Sequence, residues 1–169
     1  MTLIDSMPGE DNLLLFEEGP PETEAELYCD GASSGNPGDA GTGVVIRFKD
    51  RPGSSTFNKK RKISRYIGVA TNNVAEYTAL VSGLKEARAL GLKRVSIFLD
   101  SELLVKQLTG VYKIKSPHLR PFWEEAGNIL KKFDSYTIAH VRREFNTEAD
   151  KLARDAVKKN SGKCLINKK

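Results

Sequence analysis

What this chain lacks narrows it first. No apolar run in its 169 residues comes near the roughly 20 that a membrane helix needs. The N-terminus has neither the basic flank nor the small-residue cleavage site of a secretory signal. Only two cysteines are present, Cys29 and Cys164, without metal-ligand spacing and too few for the disulfide framework of a secreted domain. Reduced thiols in a cytoplasmic protein with no membrane partner are the expectation, and a Cys29–Cys164 clasp at the C-terminus is the alternative. Residues 1–24 lack lysine and arginine altogether but hold seven of the 22 acids: Asp5, Glu10, Asp11, Glu17, Glu18, Glu22 and Glu24. The remainder sets 27 basic against 15 acidic residues, a net +12 where the whole chain has +5. Such a surplus favours a polyanionic partner, because Lys and Arg that meet phosphates release condensed counterions; general solubility charge is the plainer reading.

The same N-terminal stretch mixes its acids with Gly19, Pro20 and Pro21, and its one apolar cluster, Leu13 to Phe16, is too short to make a core. It reads as an acidic flexible tail over residues 1–24, whose cluster docks on a partner or on the domain itself, or makes only an incidental contact. One folded domain is expected over 25–160, followed by a basic tail over 161–169. Strands are expected at Glu26–Asp30, Gly43–Lys49 and Ile63–Val69, with Pro52-Gly53 turning the second into the third. Val74, Tyr77, Val81 and Leu84 then fall on one helical stripe, so a helix is expected from Asn73 to Leu90, with Gly91 as its stop. A strand at Arg94–Leu99, helices at Ser101–Leu108 and Pro117–Phe133, a strand at Tyr136–Val141 and a helix at Thr147–Lys158 complete the order βββαβααβα. Interleaving of this kind points to an α/β fold, a mixed five-stranded sheet covered by helices. Phe122 and Trp123 are expected in the core and His118 on the surface.

Four carboxylates stand in unlike settings. Asp30 closes an apolar strand and opens Gly31-Ala32-Ser33-Ser34-Gly35-Asn36-Pro37-Gly38, a loop small enough for a backbone to lie against a ligand. Asp100 closes the fourth strand ahead of Ser101, a helix cap. Glu76 follows Thr71-Asn72-Asn73 in what reads as a first helical turn, where an acid suits the helix dipole. Asp150 fits the capping-box form Thr147-Glu148-Ala149-Asp150. Each alone is an ordinary turn or cap acid. As a set they converge if their strands neighbour one another, and such a cluster repels itself unless hard divalent cations, Mg²⁺ or Mn²⁺ rather than Zn²⁺, neutralise it.

The four contexts, in this order and spacing, resemble the type 1 ribonuclease H family over residues 25 to 160. The resemblance implies the ribonuclease H-like fold with helices on both faces, and a hydrolase that cuts the RNA strand of RNA–DNA hybrids to leave 5′-phosphate ends. It implies two Mg²⁺ or Mn²⁺ ions on Asp30, Glu76, Asp100 and Asp150. It also implies substrate contacts from Gly31, Ser33, Asn36, Thr71, Asn72, Asn73, Ser101 and Asn146, with Thr71 on a DNA phosphate and Asn36 and Asn72 near the RNA 2′-hydroxyls. The chain departs from the family in two places. A loop histidine before the last acid is missing, since His140 falls in the strand; the loop resembles the shorter Arg-Glu-x-Asn variant, which leaves Arg143 or Glu144 to take its part. The basic protrusion is also missing, with Tyr112, Lys113 and Lys115 as its only substitute and Lys59-Lys60-Arg61-Lys62 with Arg65 as a second basic run. A monomer is expected. Double-stranded RNA or DNA ends as substrates on the same fold, and a non-catalytic hybrid-binding module, are the rival readings.

Overall fold

The apolar alternation that marks the strands also decides how they assemble. A computed structural model describes residues 24–49 and 54–166, with side chains up to residue 160. Along the chain run β1 (Glu24–Ser33), β2 (Gly38–Phe48), β3 (Lys59–Ala70), α1 (Asn72–Ala89), β4 (Arg94–Leu99), α2 (Glu102–Leu108), α3 (Arg120–Leu130), β5 (Ser135–His140), a short 3-10 turn (Arg143–Phe145) and α4 (Thr147–Ile166). The sheet order is β3-β2-β1-β4-β5. β1, β2 and β3 form an antiparallel meander, while β4 lies parallel to β1 and β5 parallel to β4. Parallel neighbours need a crossover, and α1, then α2 and α3, supply the two crossovers. The mixed five-stranded sheet in the order βββαβααβα is the one expected from the sequence.

The core lies between the sheet and α1 with α3. Leu27, Val44, Ile46, Tyr77, Leu80, Leu84 and Ile97 are wholly buried there. From the expected stripe on α1, Tyr77, Val81 and Leu84 are buried and Val74 packs at the margin. α4 covers the opposite face of β1, β2 and β3. Cys29 is a free, buried thiol in the core, and burial pushes its ionisation well up, so it is an inert apolar filler. The side chain of Cys164 lies outside the described residues, as do residues 1–23 and the Pro52-Gly53 turn.

Several expected boundaries shift, each for a physical reason. β1 runs on past Asp30 to Ser33 and β2 begins at Gly38, because small residues such as Gly31, Ala40 and Gly41 still pair across the ladder although they carry no apolar signal. β3 begins at Lys59, four basic residues of pairing that look like a loop when read alone. α3 is shorter than expected, Arg120–Leu130, with a proline in its first turn. α4 extends to Ile166, into the stretch expected as a C-terminal tail. Trp123 is not core: it is 37% exposed, and its indole NH donates to the carbonyl of Gln107 at 3.2 Å. His118 is exposed, as expected.

Glycines set how closely the helices approach the sheet. A Cβ on Gly31 would stand 2.2 Å from the backbone at Ala75 and Glu76, and one on Gly43 would stand 1.9 Å from the carbonyl oxygen of Ala149. Both faces of the sheet are therefore seated directly under helix backbone at adjacent points, since Asp30 pairs with Gly43. Backbone cannot swing aside as a side chain can. Gly43→Ala is expected to cost about 2–3 kcal/mol, the upper part of the overpacking range. Equilibrium denaturation checks it, and a loss below about 0.5 kcal/mol would show that α4 lifts off the sheet freely.

Candidate active site

Two strands and two helices deliver one acid each to a single end of the sheet. The parallel ladder between β1 and β4 ends at the pair Cys29–Leu99, so Asp30 and Asp100 follow as neighbours on adjacent strands. Asp30 is 8% exposed, and its Oδ1 accepts from the Gly31 amide at 2.8 Å. Contrary to expectation Asp30 does not close its strand, which continues alongside β2.

Glu76 comes from α1. The helix starts one residue after Thr71, whose Oγ1 accepts from the Val74 amide at 3.3 Å; Glu76 thus sits one turn in and not in the first turn. The dipole explanation for an acid here falls away with that placement. Glu76 Oε1 accepts from Asn72 Nδ2 at 3.1 Å, and the Asn72 amide donates to Asn36 Oδ1 at 3.3 Å. Ser101 caps α2 by accepting from the Leu104 amide at 3.3 Å and also hydrogen-bonds Glu76.

Asp150 comes from the first turn of α4. Its amide donates to the Asn146 carbonyl at 3.1 Å, as in any helical turn, and not to Thr147 as a capping box requires. Asn146 Nδ2 donates to the Cys29 carbonyl at 3.0 Å, beside Asp30. That bond fixes the start of α4, and with it Asp150, against β1. The Asn146 side chain is buried, so it anchors the site and does not face a substrate.

The four acids share one electrostatic field. Burial first, then Asp100, Asp150 and Glu76, push the Asp30 carboxyl up from 3.8 to about 8, against a small opposing pull from the Gly31 amide. Burial, with Asp100, also raises Glu76, while Ser101, Asn72 and Arg143 pull it back. Two arginines answer the other acids: Arg143 Nε stands 3.6 Å from Asp100 Oδ2, and Arg154, one turn beyond Asp150, pairs with its Oδ2. Glu144 turns outward to Arg142 at 3.7 Å. His140 Nε2 is 3.2 Å from the Asp100 carbonyl, so this histidine is held at the strand end. Among the described residues no three of the acids are gathered closely enough to hold one ion as placed, because Asp100, Asp150 and Glu76 each lean on the partner just named.

Two other residues expected at a substrate are employed differently. Gly31 faces the backbone of α1 and makes room for it. Ser33 donates into the turn after β1, toward the Gly35 carbonyl, and is 2.9 Å from the Ala70 carbonyl. Asn73 lines a neighbouring groove of about 580 Å³ with Leu103, Val111, Tyr112, Lys113 and Lys115. Gly43 and Arg154 went unread in the sequence. A glycine amid Val44-Val45-Ile46 is a sign of close backbone approach, and an arginine four residues after an acid on a helix is a pairing distance.

The raised Asp30 has a consequence for stability. The folded state holds this proton more tightly than the unfolded chain, so the group's contribution is best below about pH 4 and is lost as pH climbs toward about 8. In chelator, Asp30→Asn should raise Tm several-fold more at pH 8 than at pH 5. Equal shifts at both pH values would mean that neither burial nor the neighbouring acids raise Asp30 in the folded state.

A family model described as reverse transcriptase-like matches residues 28–156. Ribonuclease HI of Halobacterium salinarum is 40% identical over 134 residues, covering 77% of this chain and 62% of that protein. The bifunctional protein Rv2228c of Mycobacterium tuberculosis is 41% identical over 131 residues, covering 78% of this chain and 35% of that one. The chain thus spans from about a third to under two thirds of the length of these relatives. The solved structure of LC11-RNase H1 in complex with an RNA/DNA hybrid superposes with a TM-score of 0.71 at 36% identity, covering 80% of this chain and 98% of that one. With the same fold, the four acids at one sheet end and these likenesses together, the chain belongs to the type 1 ribonuclease H family.

Proposed function

We propose that the chain is an endonuclease that hydrolyses the RNA strand of RNA–DNA hybrids at this cluster, leaving 5′-phosphate and 3′-hydroxyl ends. The observation that carries the reading is Asp30, a buried carboxyl raised to about 8 in the field of three other acids. A cluster so charged suits cations, and donors that are all carboxylate oxygens suit Mg²⁺ or Mn²⁺. Asp100 Oδ2 is buried with no hydrogen-bond partner among the described residues, only an ion-pair contact with Arg143 Nε at 3.6 Å, which supports a role as a cation ligand. LC11-RNase H1, solved with an RNA/DNA hybrid, supports the substrate class.

Asp30, Glu76, Asp100 and Asp150 would hold two ions, which when bound activate a water and stabilise the departing oxygen of the phosphodiester. Gathering around them requires Asp100 to leave Arg143 and Asp150 to leave Arg154. Both arginine side chains are mostly exposed and can swing outward. Asn36 uses its oxygen on the Asn72 amide, which leaves its NH2 to donate toward a 2′-hydroxyl, the group that tells RNA from DNA. Thr71 accepts from Val74, which leaves its hydroxyl proton for a phosphate oxygen. Arg143 brings positive charge to the incoming phosphate, and Lys113, Lys115 and Tyr112 extend the basic surface along the duplex. All four acids come from one chain, so a monomer suffices. A cytoplasmic location belongs to the same proposal; among the described residues no helix is long and apolar enough to cross a membrane.

Fluorescent hybrid, RNA-duplex and DNA-duplex substrates of one sequence test this directly. Cleavage of the hybrid with Mg²⁺ or Mn²⁺, its loss in chelator, and slower cutting of both other duplexes are expected. Asp100→Asn should lower the rate by more than about 10²-fold while leaving Tm unchanged or higher, since one repelling charge is gone. Activity within about tenfold of the parent would refute the cation assignment.

A matched pair of variants addresses the loop. Arg143→Ala should slow single-turnover cleavage at least about tenfold, and His140→Ala should cost little, because the histidine is held on the Asp100 carbonyl while Arg143 stands on an exposed turn. The reverse pattern would move the role to His140.

A further inference from the structure

A glutamine stands where helical spacing calls for an apolar side chain. α2 is seven residues long and buries two of them, Leu104 and Gln107, three apart on its inward face. A buried amide is costly unless it is bonded, and this one meets Tyr77, wholly buried on α1. The Tyr77 hydroxyl donates to Gln107 Oε1 at 2.9 Å, and burial keeps that phenol protonated. Tyr77 directly follows Glu76. α1 and α2 are thus joined at two polar points: Ser101 on Glu76 at the start of α2, and Gln107 on Tyr77 at its end. The two points lie six residues apart on α2, about 9 Å along the helix. One contact alone is a pivot; two fix the direction of α2, and with it Ser101 and Asp100 at its start.

The other end of the same amide faces outward. The Tyr77 proton has no other acceptor among the described residues, so the amide oxygen turns inward. That leaves the NH2 toward the groove of about 580 Å³ that Gln107 lines with Asn73, Tyr112, Lys113 and Lys115. Gln107 is 7% exposed, and its NH2 donates to nothing among the described residues. No carboxylate lines this groove. Its charged groups are cations and its buried donor is unanswered, so the ligand that fits is anionic and rich in acceptors, as a phosphodiester backbone is. The Tyr112 amide donates to the Lys106 carbonyl at 2.9 Å, which folds the wall bearing Lys113 and Lys115 onto the end of α2 beside Gln107.

We propose that Gln107 is a positioning residue: its oxygen holds Tyr77 so that α2 keeps Ser101 and Asp100 against Glu76, and its NH2 donates to a backbone phosphate in the groove. This rests on the hybrid-cleavage reading, and two readouts separate them. Binding of a labelled hybrid is measured in chelator, where nothing is cut; single-turnover cleavage is then measured with Mg²⁺ at saturating protein. Tyr77→Phe keeps the ring and the amide but loses the bond, whereas Gln107→Met keeps the length and loses both ends. Tyr77→Phe should bind hybrid within about twofold of the parent yet cut it at least about tenfold more slowly, since a misplacement of about 1 Å can cost about 10²-fold. A merely structural bond would not split the two readouts. Gln107→Met should cut as slowly and also bind about tenfold more weakly, as one lost hydrogen bond to a charged group predicts. In the ¹⁵N-labelled parent, the Gln107 side-chain NH2 signal should move when hybrid is added in chelator. A signal that stays fixed overturns the phosphate contact whether or not Gln107→Met folds, and so does parental binding by that variant. A parent that cuts hybrid, with Tyr77→Phe at its rate, overturns the positioning role alone; a parent that binds hybrid and does not cut it overturns the cleavage reading and the positioning role with it.

Discussion

The close approach of two helix backbones to the sheet, on opposite faces at Gly31 and Gly43, is the constraint from which the site follows. A methyl at either point would collide with backbone, so the sheet carries no side chain where α1 and α4 come down. Because those contacts fall at Ala75–Glu76 and at Ala149, they set Glu76 and Asp150 beside the strand pair that bears Asp30 and Asp100. Packing and chemistry are one arrangement here, and the glycines serve the second through the first.

Gathering four acids has an energetic cost that the rest of the local structure answers in parts. The Gly31 amide, Asn72 and Ser101 each donate to a carboxylate, and Arg143 and Arg154 stand as counter-charges. None of these offsets burial and the neighbouring acids at Asp30, whose carboxyl stays raised. Divalent ions answer charge of that density better than surface arginines, because a compact cation meets several carboxylates at once while an exposed guanidinium is screened by water. The exposed arginines are then displaceable partners, and the buried Gly31 amide is a permanent one.

The basic residues divide by the surface they occupy. Lys60 and Lys62 on β3 are tied to Glu148 of α4, so part of the run that reads as a nucleic-acid surface is structural, joining an edge strand to the covering helix. Lys113 and Lys115 instead line an open groove that begins at Asn73, one helix turn from Glu76. A charge count alone does not separate these uses; the sheet face on which each residue falls does.

Element order, the helical stripe of α1 and all four acids were legible in the sequence, because each rests on local physics: strand alternation, the 3.6-residue period, and carboxylates at apolar strand ends or beside helix starts. What an acid or amide does beyond its own turn was not legible. Asn146 reads as a substrate contact but is buried on the Cys29 carbonyl, Gly31 reads as a ligand-facing loop residue but lies under α1, and Trp123 reads as core but caps Gln107 from the surface. Each of those outcomes depends on a partner far away in the chain, and only the pairing of β1 with β2 and β4 decided which partners meet. The sequence by itself determined the set of acids and the elements that carry them; the tertiary structure decided that they share one field, since repulsion between carboxylates exists only once the sheet has brought them together.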